Sequence, residues 1–374
     1  MKIKPFATEE FFADYEFSAP YMLSASDCES MTIEALMQCA GVGLDGLGAC
    51  SLQYTESQGG RVVREAIAST YDAVSADDVI MLNAPQEGIY LAMNALLEPR
   101  DRVLVLTPCY DSLVQVAEHI GCEMHRLHLI ADHHAGVWVF DMAQLEERLR
   151  TLKPRMVIVN FPHNPTGYLP GVDEWEEMQS LVTRHGALLF SDEMYRGLEL
   201  GGRSMLSSGG EHHSGRVITL GGLSKSHGLP GLRSGWLVIK DQRLREQVLA
   251  WKHYTSICAP APVEYLTSIA VQVQERLFEA NRALIEGNAA YVEEGLQDDA
   301  MNGFRWIMPL AGSTALLFSP WQDVEAKAHE LAREHGVVVL PAKFLGADAG
   351  AVRLGLGRAG FKEAWDKFIE VMKS

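Results

Sequence analysis

The chain has 374 residues, 47% of them hydrophobic and 22% charged, which is enough apolar material for a large core and excludes disorder. A formal net charge of -17 repels a phosphodiester partner, and no Lys/Arg-rich run offsets it, so nucleic-acid binding is excluded. No run approaches the roughly 20 apolar residues of a membrane helix, and acids interrupt Met1–Phe17 where a signal peptide would be apolar. The six cysteines (Cys28, Cys39, Cys50, Cys109, Cys122, Cys258) form no CxxC pair and no zinc-spaced cluster with histidine. They read as free thiols of a reducing cytoplasm, and no metal site is expected.

In chain order, residues 1–40 read as an irregular start and one helix, Thr32–Ala40, capped by Ser30 or Thr32. A Gly-rich link (41–48) and a loop ending in Gly59-Gly60 precede an amphipathic helix over Arg61–Tyr71. From Val79 onward, strands and helices alternate. Strands are predicted at Val79–Asn83, Val103–Thr107, Glu123–Leu129, Met156–Phe161, Ala187–Phe190, Val217–Leu220 and Trp236–Ile239. Helices fall at Gln86–Leu97, Ser112–Ile120, Asp141–Arg150, Asp173–His185 and Asp241–Tyr254. Short apolar runs alternating with helices predict an α/β fold with a mostly parallel sheet covered by helices. Beyond the Ala259-Pro260-Ala261-Pro262 break come a long helical pattern (Val263–Gln297) and short strands mixed with helices, a smaller α+β unit. The predicted division is a large domain over 41–260 and a small one over 1–40 and 261–374.

In such sheets ligands bind beyond the carboxyl ends of the strands. After Val217–Leu220 comes a segment, Gly221 to Trp236, with five glycines, one proline, and Lys225 and Arg233 eight residues apart. A lysine held between buried strands is partly desolvated, which lowers its pKa and makes it a nucleophile. After Met156–Phe161, two prolines flank Asn164, a rigid loop that also occurs as an ordinary Asn-Pro turn. After Ala187–Phe190, Asp192 ends a buried run and requires a cation or a capping role.

These residues carry a resemblance. Asn164-Pro165-Thr166-Gly167, Asp192-Glu193-x-Tyr195, Ser224-Lys225-x-x-Gly228-Leu229-Pro230-Gly231-Leu232-Arg233-x-Gly235-Trp236 and Arg353-Leu354-Gly355 resemble, in order and spacing, the motifs of class I/II aminotransferases, fold-type I pyridoxal-phosphate enzymes. The resemblance implies pyridoxal 5'-phosphate held as a Schiff base on Lys225, which then serves as general base for the α-proton. Asp192 would face the ring nitrogen, an interaction of about 4 kcal/mol at ~4 Å in an effective dielectric near 20. Asn164 and Tyr195 would reach the ring's phenolic oxygen, and Tyr110 would stack on the ring. Arg233, Ser224 and the helix start at Pro85-Gln86 would hold the phosphate. Pro85 lacks an N–H, and Gly222 stands where many relatives carry a serine or threonine, so both reduce the donors available. Tyr54 matches a residue that reaches the phosphate from a neighbouring subunit, implying a homodimer with shared active sites. Arg353 would grip the substrate α-carboxylate.

The reaction implied is amino transfer between an L-amino acid and a 2-oxo acid. The N-terminal segment Leu23–Ser30 departs from the usual pattern and looks closer to capreomycidine synthase-type relatives, which eliminate and cyclise on a hydroxylated arginine. Ser24 and Asp27 are then candidate substrate contacts, and Asp27, Glu29, Glu9 and Glu10 are acids able to pair with a cationic side chain. Solvated acids on an acidic chain are the plain alternative. An effector-sensing domain of a transcription regulator fits neither the short N-terminal stretch nor the charge.

Overall fold

Runs such as Met156–Asn160 and Val217–Gly222 carry no polar alternation because neither face of their sheet meets water. In a computed structural model, which describes residues 3–347 and 350–373, seven strands form one sheet. They are β1 (Val79–Leu82), β2 (Arg102–Thr107), β3 (Glu123–His128), β4 (Met156–Asn160), β5 (Leu188–Asp192), β6 (Val217–Gly222) and β7 (Gly235–Ile239), in the order β1-β7-β6-β5-β4-β2-β3. Only β7 runs against its neighbours. Helices Pro85–Leu96, Ser112–Ile120 and Gln242–Lys252 contribute to the core on one face, and Met142–Leu152 and Val172–Arg184 to that on the other.

A second, antiparallel sheet follows in the order β8-β9-β11-β10, from β8 (Arg305–Trp306), β9 (Thr314–Phe318), β10 (Leu340–Pro341) and β11 (Ala351–Gly355). Helices Val324–His335 and Phe361–Met372 pack on it. Met194, Tyr195, Leu198 and Leu200, just beyond β5, join the same core and tie the two sheets together.

The N-terminal stretch, expected to be irregular, contains a helix, Ala7–Tyr15. Thr8, Phe11 and Tyr15 recur at helical spacing and are buried, with Phe11 and Tyr15 in the core of the second sheet. A hairpin, Ile130–Asp132 with Val137–Val139, occupies a region expected to be loop; the Asp132 carboxylate closes it by accepting from the His134 and Ala135 amides. The predicted long helix is divided at Val273 into Ala261–Gln272 and Gln274–Gly295. Helices Ile33–Ala40 and Ala261–Gln272 share a core with Val79, Met81, Trp236 and Val238 of the large sheet. We propose on that packing that both belong to the large unit, which moves the division from 40 and 260 to roughly 30 and 273. No helix among the described residues is long and apolar enough to cross a membrane.

Candidate active site

The carboxyl ends of β4, β5 and β6 and the start of helix Pro85–Leu96 surround a cavity of about 390 Å³. Lys225, Asp192, Tyr195, Asn164, Tyr110, Arg233, Ser224, Gln86, Pro85 and Asp27 all line it. Ten of the residues expected at a site therefore converge from six separate parts of the sequence.

Lys225 projects from a turn fixed by backbone bonds from Leu223 to Ser234, Gly228 to Lys225 and Leu229 to Leu223. Gly228 needs a positive φ of 68°, and a Cβ there would overlap the Glu29 carbonyl, so only glycine brings this turn against the N-terminal segment. The Lys225 Nζ donates to Ser26 Oγ at 2.7 Å. Burial pulls its pKa below the ordinary lysine value; Asp27 opposes that shift and Arg353 adds to it.

Asp192 closes β5 and is only 6% exposed. Its Oδ1 accepts from the Met194 amide at 3.1 Å, and it has no ion-pair partner among the described residues. Burial pushes its carboxyl up to about 7, against the Met194 amide, which favours the anion. Asn164 is positioned by its amide donating to Asn160 Oδ1, between the cis peptides Phe161-Pro162 and Asn164-Pro165. Tyr195 is buried, and burial raises its phenol above the ordinary value while Arg353 acts in the opposite sense. The buried Ser224 hydroxyl has no hydrogen-bond partner among the described residues. Arg233 sits at the rim in a left-handed conformation (φ 49°), donating to the Pro230 carbonyl. Gln86 donates to Ser112 Oγ at 2.6 Å, and the Tyr110 hydroxyl donates to Glu9 at 3.0 Å.

Three expected residues are placed otherwise. Tyr54 is 89% exposed, away from the cavity lining. Ser24 lies behind the wall, where its carbonyl accepts from Arg353 Nη2 at 2.7 Å. Arg353 is buried beside Asn164 (Nη1 to Oδ1, 3.4 Å), and its Nε is unpartnered. Asp27 reaches the cavity, but its carboxylate is already paired with Arg358 at 2.7 Å, and Glu29 accepts from the Ala359 amide. Asp27 is therefore not free for a cationic ligand. His163 and His227 do not line the cavity; burial holds them neutral, pulled down to about 3 and about 4. Of the upstream acids, Glu9 lines the cavity and Glu10 does not, while Glu16, Phe12, Ser26 and Met22 line it without having been expected. The spacing of Thr8, Phe11 and Tyr15 was the available signal for the helix that brings Glu9 and Phe12 there.

The donor set fits pyridoxal phosphate: an amine, a buried carboxylate lacking a cation, and a buried hydroxyl lacking a partner open onto one cavity. The two features that reduce phosphate donors are one steric unit. A Cβ at Gly222 would lie 2.6 Å from Pro85 Cγ and 3.1 Å from the Ser234 carbonyl, and one at Gly235 would lie 2.8 Å from the Pro85 nitrogen. With proline at 85, a serine at 222 is excluded by shape.

Two outcomes follow from this geometry. Gly222→Ser should destabilise the protein by about 1–3 kcal/mol in urea denaturation through overpacking, and Pro85→Ala in the same chain should restore much of the loss. Equal loss with and without Pro85 would refute the steric coupling. For Asp192, a folded pKa raised from 3.8 to about 7 means stability is lost as pH rises through that window. In ligand-free protein its contribution should fall by at most about 1.4 kcal/mol per pH unit between pH 4 and 7. Asp192→Asn should flatten that part of the profile; an unchanged slope would rule Asp192 out as its source.

Comparison with known proteins gives the family. The family model for aminotransferase class I and II matches residues 23–370. The arginine–pyruvate transaminase AruH of Pseudomonas aeruginosa is 28% identical over 90% of this chain and 85% of its own length. The capreomycidine synthase of Streptomyces vinaceus is 29% identical over 93% and 88%. The crystal structure of a PLP-dependent aminotransferase from Streptococcus suis superposes with a TM-score of 0.89 at 25% identity, covering 100% of this chain and 98% of that one. The chain thus has the type I fold of pyridoxal-phosphate enzymes and belongs to the class I and II aminotransferase family.

Proposed function

We propose that the protein is a pyridoxal-phosphate-dependent aminotransferase that converts an L-amino acid to its 2-oxo acid and passes the amino group to a second 2-oxo acid. The supporting observation is that Lys225, the uncompensated Asp192 carboxylate and the unpartnered Ser224 hydroxyl open onto one cavity. Pyridoxal phosphate, when bound, supplies an electron sink for the pair left when the substrate Cα–H bond breaks. Lys225 Nζ, lowered in pKa by burial, holds the cofactor and then takes the proton from Cα. Asp192 would keep a proton on the ring nitrogen, and Asn164 and Tyr195 would hold the ring oxygen. Ser224, Arg233, Gln86 and the amides at the helix start would hold the phosphate. Tyr110 would stack on the ring. Arg353, held by the Ser24 carbonyl and Asn164, offers a planar fork to the substrate carboxylate.

The reaction partners are drawn from the relatives: L-arginine with pyruvate is the first pair to test, after the Pseudomonas enzyme. Lys225→Ala should abolish borohydride trapping of the cofactor and amino transfer together; labelling that persists at another lysine would overturn the assignment. A second reading, elimination and cyclisation of a hydroxylated basic amino acid, is favoured by the comparable identity to capreomycidine synthase. Mass spectrometry separates the two readings. A 2-oxo acid with alanine formed from pyruvate supports transfer; a dehydrated or cyclic product with the amino group retained supports elimination.

Tyr54 supports a homodimer that shares its active sites. Tyr54, Leu52 and Tyr254 are 89%, 88% and 90% exposed, a set of large apolar side chains that a second copy would cover. Sedimentation should give twice the chain mass of 41.3 kDa, and Tyr54→Phe should weaken cofactor retention. A monomer with a full complement of cofactor would remove Tyr54 from the site. The six free cysteines support a cytoplasmic location.

A further inference from the structure

Helix Ala7–Tyr15 and its C-cap present two opposed faces. Thr8, Phe11 and Tyr15 are buried; Glu9, Phe12 and Glu16, at i, i+3 and i+7, line the cavity. The Thr8 amide and hydroxyl both bond to Asp111, so the helix is docked in a single orientation. Phe12 lies 5.8 Å from the Arg353 guanidinium, and Met22 lines the same side, giving an apolar strip between Arg353 and the two carboxylates.

The charges of the cavity lining itself do not balance, four acids against two bases, with Arg353 and Arg358 just behind it. Asp27 is neutralised by Arg358, and Asp192 sits at the far end with the ring-nitrogen role. Lys225 and Arg233 are the cations of the lining. Glu9 accepts only from the neutral Tyr110 hydroxyl, and the Glu16 carboxylate has neither an ion pair nor a hydrogen bond among the described residues. Partial burial and the nearby Asp27 and Glu9 raise the Glu16 pKa, outweighing the opposite pull of Arg358 and Lys225, neither of which is in ion-pair contact with it among the described residues. The cavity is a ligand site on separate grounds, since the Ser224 hydroxyl inside it is buried and unpartnered.

We infer that Glu9 and Glu16 are the specificity determinants for a substrate side chain ending in a guanidinium or ammonium group, its aliphatic stem lying along Phe12 and Met22. The inference rests on the reading of this cavity as the amino-acid site. A neutral side chain of the same length would leave both carboxylates uncompensated, so discrimination comes from charge more than from shape.

The test uses holoenzyme and a pair of ligands that lack the α-amino group and cannot react: 5-guanidinopentanoate and its neutral counterpart 5-ureidopentanoate. Calorimetry should show the guanidino compound binding roughly tenfold more tightly, the scale of two partly solvated carboxylates, with the gap narrowing as salt is added. Glu9→Gln combined with Glu16→Gln should bring the two affinities within about twofold, and Glu9→Asp with Glu16→Asp should retain a preference. Equal binding by the unsubstituted protein, or a preference that survives the double Gln change, would overturn the assignment. Turnover separates this from the functional reading. Amino transfer from L-arginine and L-citrulline at equal kcat/KM defeats the specificity claim and leaves the aminotransferase standing. Selective binding of the guanidino compound without amino transfer from any amino acid does the reverse.

Discussion

The Asp192 carboxylate at the end of β5 is the constraint on which the site depends. Its strand is buried on both sides, its neighbours Leu188, Leu189 and Phe190 exclude water, and the Met194 amide supplies one hydrogen bond. A buried anion with few donors is destabilised, and burial has pushed its proton affinity up to about 7 although the Met194 amide, Lys225 and Asn160 all favour the charged form. Lys225 is desolvated in the opposite sense, away from its charged form. The fold thus holds an acid and an amine, both displaced from their ordinary states, in one cavity. That pairing suits the proposed cofactor, whose ring nitrogen would meet the first and whose electrophilic carbon would meet the second.

Backbone shape then fixes what else can approach. Gly355, Gly357 and Gly228 each lack a Cβ where one would meet the Ala25, Asp27 or Glu29 carbonyl, so residues 25–29 lie directly against the second sheet and the Lys225 turn. Gly355 and Gly357 also bond to this segment, through Leu23 and Glu29. The result is that Ser26 reaches Lys225 and Ser24 reaches Arg353. On the other side, Pro85 fills the space over Gly222 and Gly235. The loss of phosphate donors at 85 and 222 is therefore one packing choice with two visible consequences.

The sheet was legible because its code is local. Apolar runs set each strand, and the residues just past Met156–Phe161, Ala187–Phe190 and Val217–Leu220 face the cavity whatever the helices do. Boundaries were less so: β5 runs on through Ser191 and Asp192 because both pair with β4 and β6, which polar side chains at the end of an apolar run do not announce. Helix Ala7–Tyr15 was not read because two turns of mixed acids and aromatics are marginal as an isolated helix, and burial of Phe11 and Tyr15 in the second sheet's core is what sustains it. The role of Asp27 was unreadable for a related reason. Its partner, Arg358, lies 331 residues away in sequence.

That pairing changes how the acids of the N-terminal region divide. By type, Asp27, Glu29, Glu9, Glu10 and Glu16 are equivalent, and composition alone makes them solvated charges on an acidic surface. In the fold, Asp27 and Glu29 are occupied in joining their segment to residues 358–359, Glu10 is outside the cavity lining, and Glu9 and Glu16 border the cavity. A helix whose buried face is anchored in the second sheet carries those two carboxylates as a fixed pair, so their spacing does not depend on a mobile loop. Both side chains are exposed, so screening limits the selectivity they give, and an anchored backbone is what keeps them at the cavity. The same helix bonds Tyr110 and Asp111, so the residue proposed to stack on the cofactor and the acids proposed to select the side chain share one support.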